Sequence, residues 1–157
     1  MKVIFLDFDG VITTLESKWH LDTDKMLLVK RICEETNAKI VISSSWRRHS
    51  LEETFEMLAL YEQSGKEAPF ILKDYVVCVT DRMYSFKEGN VKSHYGLPRG
   101  CAIQRYLVEH KDIDRYVILD DDTDMLLEQA PYFINTNREL GISEQDVEKA
   151  IEILNKN

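Results

Sequence analysis

Asp7 and Asp9 stand two apart at the end of an apolar run, Lys2–Phe8, and Gly10 follows at once. Far downstream, Asp120-Asp121-Asp122-Thr123-Asp124 closes another apolar run, Tyr116–Asp120. A third run, Lys39–Ser43, ends in Ser43-Ser44-Ser45 with Trp46-Arg47-Arg48 behind it. If these ends meet, Asp7, Asp9, Asp120 and Asp121 crowd together, and like charges that close raise each other's pKa unless a cation neutralises them. Oxygen ligands favour a hard ion, and Mg²⁺ binds through one or two carboxylates, waters and a phosphate oxygen. The expected cofactor is Mg²⁺. One of the N-terminal acids could then attack phosphorus while the other handles the leaving-group proton, since Asp nucleophiles split phosphoryl transfer into two easier steps. On a regular strand, residues two apart share a face. Gly10, lacking a Cβ, also permits a turn that swings the second acid over the strand tip. Ser43 or Ser44 could donate to a phosphoryl oxygen, Arg99 could supply a fixed positive charge, and Arg47 could bind a further oxygen or the substrate beyond it.

Something must carry these groups to one place, and the apolar patterning predicts it. Strands are expected over Lys2–Phe8, Lys39–Ser43, Tyr75–Thr80, Tyr116–Asp120 and Tyr132–Asn135. Between them, Asp22 or Thr23 caps a helix running to about Glu35, with Asn37 as its stop. Ser50-Leu-Glu-Glu53 opens a second helix, to about Gln63, and Arg99 to His110 carries Ile103, Leu107 and Val108 at helical spacing. Ser143-Glu-Gln-Asp146 opens the last, with Val147, Ala150, Ile151 and Leu154 on one face. Alternating strands and helices imply an α/β fold: three layers, Rossmann-like, around a mainly parallel central sheet. Ligands of such sheets sit outside the carboxyl ends of the strands, where all the residues named above are expected.

The whole chain, 1–157, is expected to form one domain, a usual length for one, and at 44% hydrophobic it can bury a core. No apolar run approaches the roughly 18 residues that span a bilayer, and Val3–Leu6 is too short for a signal peptide's apolar region. Cys33, Cys78 and Cys101 lack the spacing of a disulfide framework or a zinc site. Together these point to a cytoplasmic protein with reduced thiols and no membrane partner. Residues 116–157 hold 3 basic and 10 acidic residues, while 46–115 balance 11 against 11, so no part has the basic excess of a bulk nucleic-acid binder. A phosphorylated partner must be held by a few placed cations or a metal.

Taken alone, each motif has an ordinary reading: a solvated acidic run, a serine-rich loop, surface arginines, and Trp19 and Trp46 in core or rim packing. Their joint order is what resembles the haloacid dehalogenase (HAD) superfamily of phosphohydrolases. Phe5-Leu-Asp7-Phe-Asp9-Gly10-Val11 is similar to its first motif, Ile40-Val-Ile-Ser43-Ser44 to its second, and Val117-Ile-Leu-Asp120-Asp121-Asp122-Thr123-Asp124 to its fourth. The third motif's usual Lys is replaced, with Arg99 at its expected place. Arg99-Gly100, Ile103, Tyr106-Leu107 and Tyr116–Asp122 further resemble the HAD domains of multifunctional RNA-repair proteins. The resemblance implies a Mg²⁺-dependent phosphatase with Asp7 as nucleophile and Asp9 as general acid/base. It also implies metal ligands from Asp7, the Asp9 carbonyl and Asp120, with Asp121 or Asp124 directly or through water. Residues 10–38 have room for a flap and one helix, and 64–98 for one strand and a loop, so no separate cap domain is expected. Open sites in this family accompany large substrates, nucleic-acid ends among them. Two rivals stand beside this reading: a receiver-like phospho-acceptor domain phosphorylated on Asp81, and a catalytically silent HAD-like binding module.

Overall fold

In the computed structural model, which describes residues 1–82, 97–156 and the backbone of 85–86 and 92–93, strands and helices alternate along the chain. The strands are β1 (Lys2–Leu6), β2 (Lys39–Ile42), β3 (Val76–Val79), β4 (Ser85–Phe86), β5 (Lys92–Ser93), β6 (Arg115–Asp120) and β7 (Phe133–Asn135). The helices are α1 (Thr23–Thr36), α2 (Leu51–Gln63), α3 (Arg99–Glu109) and α4 (Glu144–Asn155). Five strands form one parallel sheet in the order β3-β2-β1-β6-β7.

Alternation within each short strand builds the three layers. Ile4, Leu6, Ile40, Ile42, Val117 and Leu119 point to one face, where Met26, Val29 and Ile32 of α1, Met57 of α2, and Val147, Ala150 and Leu154 of α4 cover them. Val3, Phe5, Val41 and Ile118 point the other way, onto Ile103 and Tyr106 of α3. Every one of these side chains is at most 9% exposed, as expected of a parallel sheet covered on both sides.

Local signals set most helix ends. Asp22 accepts from the amides of Asp24 and Lys25, and Asn37 stops α1 in the left-handed conformation at φ 58°. Ser50 accepts from the Glu53 amide, and Ser143 and Asp146 exchange a reciprocal capping box. The N-cap residue of α3, Pro98, offers no side-chain acceptor. Its first amide, that of Arg99, instead donates at 2.7 Å to the carboxylate of Asp124, 25 residues downstream.

The expected elements are present with three differences, one of them an unexpected 3-10 turn over Leu127–Tyr132 just ahead of β7. β1 ends at Leu6, because the chain turns sharply after Asp7: the Phe8 carbonyl accepts amides from Val11, Ile12 and Thr13. Where 64–98 was read as one strand and a loop, a short 3-10 turn (Lys73–Tyr75) leads into β3, and a two-stranded antiparallel hairpin, β4–β5, follows. A Gly89-Asn90 pair lies between the hairpin strands in sequence, a turn signal too isolated to identify strands of two residues. Among the described residues, no helix is long and apolar enough to cross a membrane.

Candidate active site

Strand register determines which residues share the carboxyl rim. Leu6 pairs with Ile42 on one side and with Leu119 on the other, so Asp7, Ser43 and Asp120 come level as their strands end. Backbone hydrogen bonds extend the ladder past the strands: the Asp7 amide donates to Leu119, Ser43 to Leu6 and Thr80 to Ile42. Asp7, Ser43, Ser44 and Asp120 are all buried there, none more than 4% exposed.

Asp7, Asp120 and Asp121 each offer a carboxylate oxygen, and these oxygens lie within 4.8 Å of one another. Gly10 makes that approach possible. It sits at φ +73°, and a Cβ there would lie 2.6 Å from the Asp121 carboxyl carbon. Arg99 reaches into the cluster from the start of α3. Its Nη1 donates to Asp7 at 3.2 Å and to the Ser43 carbonyl, and its Nε lies 3.1 Å from Asp120. Arg138 meets Asp121 at 3.4 Å from an exposed position.

Charge remains under-compensated. Burial raises the Asp7 pKa, opposed by Arg99 and by a hydrogen bond from the Ser44 hydroxyl. Asp120 is pushed up to about 8, by burial first and then by the charge of Asp7. Asp121 is raised by burial against the pull of Arg138. Burial disfavours the charge on Arg99, but Asp7 and Asp120 more than offset it, so its pKa rises. A second cation at the triad would lower all three carboxyls at once.

Asp9 stands apart from the triad. The Trp46 indole N–H reaches both its carboxylate oxygens at 3.1 Å, and the Thr13 hydroxyl donates to Oδ1 at 3.2 Å. Trp46 itself packs on Phe8, ring centroids 5.5 Å apart. Asp7 and Asp9 therefore do not present one strand face: the turn after Asp7 sends them to different partners. Of the two serines, Ser44 turns its hydroxyl to Asp7, whereas Ser43 points its own 3.5 Å from the Thr80 hydroxyl.

Two expected site residues already have partners within the protein. Asp124, read as a metal ligand, lies outside the triad and holds the Arg99 amide, and its Oδ1 is buried with no partner among the described residues. Arg47, read as a phosphate ligand, gives its Nε, Nη1 and Nη2 to the carbonyls of Thr80, Ser44 and Asp81. Trp46 is the site residue that sequence reading missed. Its only signal is its place directly after the serine run, and that does not distinguish an Asp9 partner from rim packing.

A parallel sheet with an acidic triad at its carboxyl rim, an arginine facing it and a serine hydroxyl on the first carboxylate defines a phosphohydrolase-type HAD fold. The family model for the HAD domain in Swiss Army Knife RNA repair proteins matches residues 3–147, and the chain belongs to that family. Neither a curated protein nor a solved structure matches it.

Proposed function

We propose that this chain is a divalent-metal-dependent phosphomonoesterase that works through a phosphorylated Asp7. The observation that carries this reading is the separation of the two N-terminal acids. Asp7 lies among Arg99, Ser44 and the acidic triad, while Asp9 is held to one side by Trp46 and Thr13. In this reading an Asp7 oxygen attacks phosphorus, the ester P–O bond breaks, and Asp9 gives its proton to the leaving oxygen. Water then attacks the aspartyl-phosphate at phosphorus, Asp9 takes the water's proton, and the Asp7 carboxylate leaves. Arg99 and the Ser44 hydroxyl meet the charge on the phosphoryl oxygens.

The triad suits a hard divalent ion such as Mg²⁺. It offers oxygen ligands only, and a Cβ at Gly10 would fill the space into which Asp121 closes. Asp7, Asp120 and Asp121 would hold the ion, with Asp124 acting through Arg99. When bound, the ion offsets the negative charge of carboxylates and phosphoryl oxygens that meet at this rim.

The substrate we infer is a phosphorylated nucleic-acid end. The family's description names RNA repair, and the segments that follow β1 and β3 are too short to form a separate cap domain. An open rim admits a polymer end, and small sugar phosphates should be poorer substrates. The receiver-like alternative would phosphorylate Asp81, but that carboxylate is over half exposed on the edge-strand side and pairs with Arg105 at 3.0 Å.

The test is hydrolysis of 4-nitrophenyl phosphate with and without Mg²⁺, with ³²P trapping on acid-quenched protein. Asp7→Asn should abolish turnover and trapping, and Asp9→Asn should abolish turnover. Near-normal turnover in a folded, metal-binding Asp7→Asn protein would exclude Asp7 as the nucleophile.

A further inference from the structure

Beside Arg99, and outside the acidic triad, lies a cavity of about 140 Å³ whose wall includes Arg47, Arg82, Arg99 and Asp124. Three arginines line one small space in a chain of net charge −8. They are close enough to feel one another: the Arg47 pKa falls to about 10, through burial first and then through the charges of Arg99 and Arg82. Among the described residues the one carboxylate on the wall is Asp124, and its Oδ2 is committed to the Arg99 amide. Asp81, the next acid along the rim, is paired with Arg105.

Arg47 is held rigidly for such a role. Three of its N–H groups bind the carbonyls of Thr80, Ser44 and Asp81, which leaves two of its five donors and the whole charge. Arg82 adds its charge while donating from Nη1 to the Arg47 carbonyl at 3.4 Å. Arg99 uses Nη1 and Nε on Asp7, Ser43 and Asp120, so one guanidinium links the triad to this cavity. At about 140 Å³ the space is large enough to receive a phosphate group. Planar arginine forks suit phosphate oxygens.

We propose that this cavity is a second anion subsite, which receives the phosphodiester next to the phosphomonoester that Asp7 attacks. The inference rests on the phosphomonoesterase reading and narrows its substrate to an end that carries an internal phosphate one nucleotide away. Recognition of that phosphate needs no bulk positive charge, in keeping with the acidic chain.

The experiment compares kcat/KM on 4-nitrophenyl phosphate, a phosphorylated mononucleoside, and di- and trinucleotides carrying the same terminal phosphate, with 3′ and 5′ series run separately. In the wild type, the first internal phosphodiester should raise kcat/KM about tenfold or more in one series, and the second should add little. In Arg82→Gln that gain should shrink to about threefold or less. No gain from the first phosphodiester, or a gain that survives Arg82→Gln, overturns the proposal. A stronger effect of free phosphate or sulfate than of the phosphodiester, lost in Arg82→Gln, would instead make the cavity an inhibitory anion site and overturn the substrate assignment. Binding of the phosphorylated dinucleotide to the Asp7→Asn protein supplies a readout without turnover. There, Arg82→Gln should weaken binding about threefold or more even if the aspartyl-phosphate mechanism fails, and unchanged binding would sink the subsite alone.

Discussion

Metal binding at the triad should release a proton, and the amount follows from Asp120. Burial and the neighbouring Asp7 charge push its pKa to about 8. At pH 7 such a carboxyl is roughly 90% protonated, whereas a metal ligand must be ionised. Mg²⁺ binding at pH 7 should therefore expel about 0.9 proton from this residue, and at pH 8 about 0.5. Apparent affinity should rise about tenfold from pH 6 to 7 and roughly fivefold from pH 7 to 8. The same shift governs the metal-free protein. Between the unfolded value of about 3.9 and the folded one, the native state keeps a proton that the unfolded chain has lost. Stability without metal should consequently fall as pH rises through that window, by up to about 1.4 kcal/mol per unit. Calorimetric titration of Mg²⁺ in two buffers of different ionisation heat measures the proton count. Thermal unfolding of wild type and Asp120→Asn from pH 5 to 8 isolates the contribution of this group. An affinity flat from pH 6 to 8, with no proton released, would refute the charge argument at its root.

Three other predictions concern residues around the triad. Trp46→Phe removes the donor that spans the Asp9 carboxylate. If Asp9 protonates the leaving group, the rate of phosphoenzyme formation should fall about tenfold or more on alkyl phosphates and much less on 4-nitrophenyl phosphate, whose leaving group needs little help. An equal fall on both would mean Trp46 serves packing alone. Gly10→Ala should cost about 1–2 kcal/mol from the left-handed backbone and weaken Mg²⁺ binding, since its Cβ would displace Asp121. Gly65→Ala, at φ +69° with nothing within 4 Å, is the control, and calorimetry should show destabilisation with unchanged metal affinity. Arg99→Lys keeps the charge but loses the fork joining Asp7 to Asp120. It should lower kcat/KM about tenfold to a hundredfold in steady-state assays, and full retention would mean the fork geometry is irrelevant.

The layers and the rim were legible in the sequence because they rest on local physics. Apolar runs of strand length, such as Lys2–Leu6 and Lys39–Ile42, bury both faces and must lie inside a covered sheet. A parallel sheet then brings the ends of its strands to one edge, which is why Asp7, Ser43 and Asp120 could be expected to meet from their positions alone. Helix caps such as Asp22, Ser50 and Ser143 were readable for the same reason, since each acts on amides within three residues.

What tertiary structure alone decided is the partner of each polar group once it arrives. Asp124 caps α3 because Pro98 provides no acceptor and the loop after β6 passes beside the helix start, a closeness of residues 25 apart that spacing cannot encode. Arg47 turns to carbonyls of the neighbouring strand ends, and Ser44, not Ser43, presents its hydroxyl to Asp7. Composition and periodicity act on one element at a time, so they place a side chain at an edge. Its hydrogen bonds there depend on distances of a few ångströms between elements that are remote in sequence, and only packing sets those.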